Sequence, residues 1–287
     1  MYEITLLTTM AISVLFALSL NFISGFCGQI SLGHAAFLGA GAYTSAMLTK
    51  ASVPFLLTLP AAAAVAAAIG LVIGLASLRV RHDFLAITTM GAGFLFVGIV
   101  RQQDLLGGEI GIAGIPAPDM SRTVFMLFCV ALAALFALFS LFVRRSWMGF
   151  VFQSIADNED VTRILGIAVA RYKLIAFLIG TAAAGVAGAL YAHHFRFIGP
   201  DSFGFVESVS VLAMVIVGGV GSVWGVAFAA AVLSVLPLLV QFVDDYKLLL
   251  YSALLFVTMR FAPGGLAGLV TDLRETLLRP GSREQGS

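Results

Sequence analysis

The residues best suited to chemistry in this chain fall in one short run, Gly25-Phe26-Cys27-Gly28-Gln29-Ile30-Ser31-Leu32-Gly33-His34. Three glycines with Gln29, Ser31 and His34 make a poor interior for a lipid-facing helix, yet apolar stretches flank the run on both sides. Irregular backbone at membrane depth is tolerated where it is packed in protein or lines a cavity. A helix restarting near Ser31 would aim free N–H groups and its positive dipole end into such a cavity. Membrane carriers use half-helix ends of this kind to meet anionic groups, a substrate carboxylate among them. The competing reading is an ordinary surface loop turned by its glycines, and composition alone leaves the two evenly matched. His34 has no neighbours at metal-ligand spacing, so it reads as a path or packing residue and no metal is expected. Gly218-Gly219-Val220-Gly221-Ser222 is a second pause of the same kind with a weaker signal.

The other polar concentration runs from Arg144 to Lys173. Arg144-Arg145-Ser146-Trp147-Met148-Gly149 leads into Phe150–Ala156, then Asp157-Asn158-Glu159-Asp160, then Val161–Gly166. Ile155, Val161, Ile164 and Leu165 approximate one helical face, and Gly166 suits a C-terminal stop. Asp157 or Asn158 is placed to cap a short helix carrying Asp160 in its first turn. An amphipathic element here fits either a groove on a partner protein or the lipid headgroups. Its acidic residues disfavour an anionic leaflet, which helps the partner reading. The pair His193-His194 draws attention, but adjacent helical residues do not share a face, and no further ligands accompany them. An outer-interface position is expected for both.

These groups must be held by membrane-spanning elements. Of the 287 residues, 60% are hydrophobic and 11% charged, and the mean hydropathy is +1.05. A bilayer accommodates that composition, because about twenty apolar residues in helix cross its core. Nine apolar stretches stand out: Ile4–Ser24, Ile30–Thr49, Pro54–Leu78, Phe84–Val100, Thr123–Val143, Tyr172–Ala192, Phe205–Gly221, Trp224–Val240 and Tyr246–Phe261. The fold class is therefore an all-α polytopic transmembrane bundle of about 8–10 spans, one of them discontinuous in one reading. Residues 1–287 read as a single domain, with 144–171 as a loop and 263–287 as a tail on the cytoplasmic side. Met1–Ile23 lacks a basic leader and a small-residue cleavage site, so the first helix is expected to be retained.

Alternation of the spans puts eleven of the sixteen Lys and Arg on one side, Arg79, Arg81, Arg144, Arg145, Arg163, Arg171, Lys173, Arg260, Arg274, Arg279 and Arg283 among them. Positive residues mark the inner side, so the loop and the C-terminus are expected there. The side of Met1 depends on whether Ile30–Thr49 crosses fully. Gly70/Gly74, Gly221/Gly225 and Ala184/Gly188 are four apart, as in close helix contacts. A net charge of +1 gives no pull toward nucleic acid. Cys27 and Cys129 lie in apolar segments and read as small buried side chains.

Gly25 to Phe37, followed by Gly39, Gly41 and Tyr43, resembles the N-terminal signature of LivM-type permease subunits of branched-chain amino acid ABC importers. Ile155-Ala156-Asp157-Asn158-Glu159 with Ile164-Leu165-Gly166-Ile167 is similar to that family's ATPase-coupling loop. Arg171-Tyr172-Lys173-Leu174, Gly185–Tyr191, Pro200, Gly218–Gly225, and Arg260 with Pro263-Gly264-Gly265-Leu266 extend the likeness over nearly the whole chain. Two departures stand out: Asp157 occupies a place that is usually basic, and the polar linker ahead of the fourth span is shortened to Arg79-Val80-Arg81-His82-Asp83.

The resemblance implies a multi-pass subunit of the bacterial inner membrane that is not itself an enzyme. Its expected partners are a second related permease, two cytoplasmic ABC ATPases and an extracytoplasmic substrate-binding protein. Gln29, Ser31, Gly33 and His34 are expected along the substrate path. Ile155, Ala156, Asp157, Asn158, Glu159, Leu165 and Gly166 are expected to engage the ATPases. No phosphate-binding Gly-x-x-x-x-Gly-Lys-Ser/Thr loop occurs in the chain, so no cofactor is expected here, and ATP with Mg would be bound by the partners. Alternatives are a related permease for urea, short amides or sugars, or an ion-coupled carrier. The last would need carboxylates inside the membrane, whereas Asp104, Glu109, Asp119, Asp157–Asp160, Asp201, Glu207 and Asp244-Asp245 lie near span ends. The glycines of 102–122 suggest a flexible outer segment that meets a docking protein.

Overall fold

The computed structural model describes residues 2–77, 84–239, 246–262 and 264–268. Expectations for Arg79 to Asp83, Asp244-Asp245, Pro263, Arg274, Arg279 and Arg283 fall outside the described residues, as does most of the 263–287 tail. Eleven α-helices form the described chain. The first five are the long α1 (Tyr2–Cys27), α2 (His34–Lys50), α3 (Phe55–Ser77), α4 (Phe84–Gln102) and α5 (Arg122–Arg145). After the short α6 (Trp147–Asp157) and α7 (Glu159–Ile164) come α8 (Val169–Phe195), α9 (Phe205–Gly218), α10 (Val223–Leu239) and α11 (Lys247–Phe261). Seven segments are long and apolar enough to cross a bilayer by themselves. The helices α2 and α10 have 17 residues each, which is roughly 25 Å.

Lipid supplies no hydrophobic drive for one helix to leave acyl chains for another, so close packing has to hold the bundle. Small residues provide it around α8, which packs on α1, α2 and α3. A β-carbon on Gly188 would stand 1.9 Å from the Leu38 carbonyl oxygen, and one on Gly41 would stand 2.1 Å from that of Gly185. On the other side of α8, Gly70 lies against Thr181 and Gly74 against Leu174 and Phe177. The expected small-residue contacts are thus made, and α1 and α8 are the most buried of the long helices, while α4 and α11 are mostly exposed. The exposed apolar side chains of α3, α4, α5 and α11, such as Val72, Leu95, Phe142 and Phe256, face outward as lipid requires.

Proline inside a membrane helix frees a carbonyl that needs another donor. Pro237 in α10 cannot donate to Leu233, and the Tyr251 hydroxyl of α11 does so instead at 2.6 Å.

The start of α1 shares its end of the bundle with the ends of α2 and α8: Thr9 Oγ1 lies 3.2 Å from His194 Nε2, and Thr49 Oγ1 lies 3.2 Å from His193 Nε2. The first residues of α1 therefore lie at the end of the bundle opposite the 144–173 stretch, and α2 returns the chain to the end where α1 began. His193 is buried, as a packed residue would be. The Pro116 carbonyl can only accept, so Nδ1 of His193 carries the proton it donates there at 3.1 Å, and Nε2 lies 3.0 Å from Ser45 Oγ.

The outer segment 102–122 differs from expectation. It is folded, through a 3-10 turn at Asp104–Leu106 and a strand β1 (Ile112–Ala113) paired antiparallel with β2 (Phe197–Ile198). Its glycines serve left-handed backbone and close approach. Gly111 has φ 81°, and a β-carbon there would lie 2.2 Å from the Ile198 carbonyl oxygen.

Candidate functional site

Helix α1 ends at Cys27, and the chain runs without helix from Gly28 to Gly33 before α2 begins at His34. The apolar stretch thought to start at Ile30 becomes helical four residues later. Gly28 turns the chain at φ 68°, a conformation that a side chain would strain. Gly33 lies so close to α4 that a β-carbon would stand 1.7 Å from the Thr89 carbonyl oxygen.

Gly28 and Ile30 are exposed, but the polar side chains of the break turn into protein, unlike those of an ordinary surface loop. Gln29, Ser31 and His34 are all buried. His34 stacks on Phe16 with ring centroids 5.3 Å apart, next to Ser19, well inside α1 from its inner end. The backbone is satisfied by side chains of other helices: Leu32 N–H donates to Thr89 Oγ1 at 3.0 Å, and Ala35 N–H to Ser208 Oγ at 3.1 Å. Ser19 donates its single hydroxyl proton to the Phe16 carbonyl at 2.6 Å, so at 2.8 Å it accepts from His34 Nε2. Nδ1 of His34 is then an acceptor facing inward. Both it and Ser31 Oγ are buried with no hydrogen-bond partner among the described residues. Unpaired buried polar atoms are uncommon, and Tyr43 Oη and Ser140 Oγ share that condition elsewhere in the bundle.

The second break, after α9, packs against the last turns of α1. Gly219 and Gly221 have φ 103° and 82°, and the Gly221 N–H donates to Asn21 Oδ1 of α1 at 2.9 Å.

The inner stretch is an elbow of two helices. Asn158 ends α6 and starts α7, accepting from the Val161 N–H through its Oδ1 at 3.1 Å. The Thr162 hydroxyl bridges the carbonyls of Ser154 and Asn158, both at 2.8 Å, and fixes the bend. This corrects the single amphipathic face expected from the sequence. Ile155 is buried with Val151 and Phe152 under α6, whereas Val161, Ile164 and Leu165 project from α7 and its end into the exterior. Because the helix restarts at Asn158, the residues on its two sides follow different axes. Ile164 is 84% exposed and Leu165 72%. Gly166 follows at φ 83° and reverses the chain toward α8.

Break and elbow are joined. A β-carbon on Gly28 would lie 3.1 Å from the Ala156 α-carbon, so the end of α1 rests on the end of α6. Glu159 of α7 is ion-paired with Lys173 in the second turn of α8, and Arg163 reaches the same carboxylate at 3.2 Å. The Lys173 carbonyl in turn accepts from Gln29 Nε2 at 3.0 Å. A cavity of about 280 Å³ lies between these parts, lined by Cys27, Gly28, Ala156, Glu159 and Lys173 among others.

Sequence reasoning placed the break and the elbow but missed what holds them. Thr89, Ser208, Asn21 and Lys173 are polar residues in apolar or span-end positions, and that misfit was the available signal. No group of three or more His, Cys, Asp or Glu able to hold a metal occurs among the described residues.

Residues 3–259 match the family described as branched-chain amino acid transport system / permease component. The chain is 34% identical to the high-affinity branched-chain amino acid transport system permease protein LivM of Salmonella typhimurium, over 92% of this chain and 69% of that protein. It is 26% identical to BraD of Pseudomonas aeruginosa, a permease protein of the same description, over 91% of this chain and 93% of that one. LivH of Escherichia coli, also so described, is 28% identical over 52% of this chain and 47% of its own length. No solved structure matches.

Proposed function

Since this chain belongs to the branched-chain amino acid transport system permease family, we propose that it is one of the membrane-spanning subunits of an ATP-driven importer and forms half of the translocation path, with the elbow α6–α7 receiving the stroke and the helix break lying on the substrate path. It works as a permease in the bacterial inner membrane and leaves hydrolysis to other chains. The substrates are hydrophobic amino acids such as leucine, isoleucine and valine, delivered by an extracytoplasmic binding protein. A second, related permease completes the path, and two cytoplasmic ATPases bind ATP and Mg.

One observation carries this reading: apolar Val161, Ile164 and Leu165 are exposed on an elbow clamped by Asn158 and Thr162. An exposed apolar patch on a rigid projection is suited to a groove in a partner. Pressing on that patch moves α7, and Glu159 passes the movement to Lys173 and so to Gln29. Ile155, Ala156, Asp157, Asn158, Glu159, Leu165 and Gly166 form the contact and its hinge. Gln29, Ser31, Gly33 and His34 border the path, with the N-terminus of α2 facing the substrate carboxylate. Tight binding at that point would slow release, which fits the small number of polar groups.

Replacing Ile164 and Leu165 together by Asp tests the reading, because neither side chain supports the fold. The variant should reach the membrane in normal amount, lose co-purification with its ATPases, and take up no labelled leucine. Full co-purification with normal uptake would overturn the coupling role.

A further inference from the structure

On the outer side, a cavity of about 170 Å³ opens between α1, α2, α8, α9, α10 and α11. Its mouth carries Glu207, in the first turn of α9, and Lys247, the first residue of α11, paired at 2.8 Å. Its floor is apolar, formed by Phe16, Leu38 and Met214. We propose that this chamber holds one hydrophobic amino acid in its zwitterionic form, as a station on the way to the break in α2.

Three features select that chemistry. Glu207 and Lys247 present opposite charges side by side, and a zwitterion laid antiparallel matches both, its ammonium on Glu207 and its carboxylate on Lys247. No net charge is buried in the exchange, so desolvation is kept small. The two side chains are 31% and 24% exposed, so the pair is reachable. The floor takes an aliphatic side chain and offers no carboxylate or amine to a charged one. Finally, Phe16 stacks on His34, so the floor is one ring away from the unpartnered His34 Nδ1. The chamber thus stands directly above the half-helix end assigned to the substrate path. Because one existing ion pair is exchanged for two new contacts, the net gain is small, as a transit station needs.

The inference rests on the permease reading, and the test separates the two. The whole transporter carrying Ser13→Cys, on the chamber wall, is treated with a small charged methanethiosulfonate reagent. The native Cys27 and Cys129 are buried and provide the background. Leucine should slow labelling at least about threefold and aspartate should not, while ATP-driven leucine uptake continues. Adding Glu207→Gln should raise the leucine concentration for half-protection about tenfold, which corresponds to ~1.4 kcal/mol. Unchanged labelling in a preparation that still imports leucine overturns the chamber alone. Equal protection by aspartate overturns it too. Failure of the unmodified transporter to import any branched-chain amino acid sinks the permease reading instead, while protection still reports on the chamber. Thr9→Cys on the same wall serves if Ser13→Cys fails to assemble.

Discussion

Two acid–lysine pairs lie at opposite ends of the bundle and differ in almost everything but chemistry. Inside, Glu159 and Lys173 are 11% and 14% exposed, Arg163 adds a second cation, and the Lys173 backbone holds Gln29. Outside, Glu207 and Lys247 are 31% and 24% exposed and border open space. A desolvated pair is held rigidly, since either partner alone would be a buried charge. A half-solvated pair can exchange partners at little cost. The inner pair is therefore built as a joint and the outer pair as a contact that yields.

The largest effect expected from this contrast is on stability. Lys173→Met should destabilise the purified assembly by about 3 kcal/mol, because Glu159 is left buried with only Arg163. Lys247→Met should cost about 0.5 kcal/mol. Thermal unfolding in detergent compares them directly, and equal shifts would erase the distinction. Transport sharpens it: Lys173→Met should hydrolyse ATP while importing little leucine. Glu159→Gln in the same chain should recover most of the lost stability, because no uncompensated charge remains.

Much of this layout was legible in the sequence, and the failures follow a pattern. Hydropathy located each of the nine longer helices among the described residues, because lipid enforces helix and apolarity together. The restart of α2 was misplaced because Ile30 and Leu32 are apolar, and nothing local reveals that Gly33 abuts Thr89. Asp157 and Asn158 were both legible as caps, and the structure uses Asn158; the bend there, which separates Ile155 from Ile164, depends on the Thr162 bridge. Glycines at 107, 108 and 111 suggested looseness, where they instead provide positive φ. The two ion pairs join residues 14 and 40 positions apart. Pairing at that distance is tertiary information, and no periodicity carries it.

A smaller effect is expected at the outer chamber's frame. Tyr251→Phe removes the donor to the carbonyl that Pro237 leaves open, and should cost about 1 kcal/mol, in the range of polar contacts between membrane helices. Pro237→Ala restores an N–H for Leu233, so the second substitution should cancel most of the first. A double-mutant cycle on thermal unfolding measures that coupling. Coupled ATP hydrolysis should be unchanged in both variants, because neither touches the inner joint. Uncoupling by Tyr251→Phe would mean that the two ends are not separable.

The smallest effect is expected at Asn158, and it discriminates most finely between a rigid elbow and a loose one. Asn158→Ala deletes the acceptor for the Val161 N–H, a cap worth about 0.5–1 kcal/mol in a short exposed helix. Global unfolding should barely move, because Glu159–Lys173 and the Thr162 bridge still anchor α7. Local opening should rise instead. Hydrogen exchange at the amides of residues 160–162 should quicken about threefold, the factor that corresponds to ~0.65 kcal/mol. Asn158→Asp keeps the acceptor and should leave exchange near the starting rate. If Asn158→Ala left those amides equally protected, the cap would be dispensable and the rigidity of the elbow would rest on the ion pair alone. The stroke would then pass entirely through Glu159, and Lys173→Met would have to abolish uptake completely.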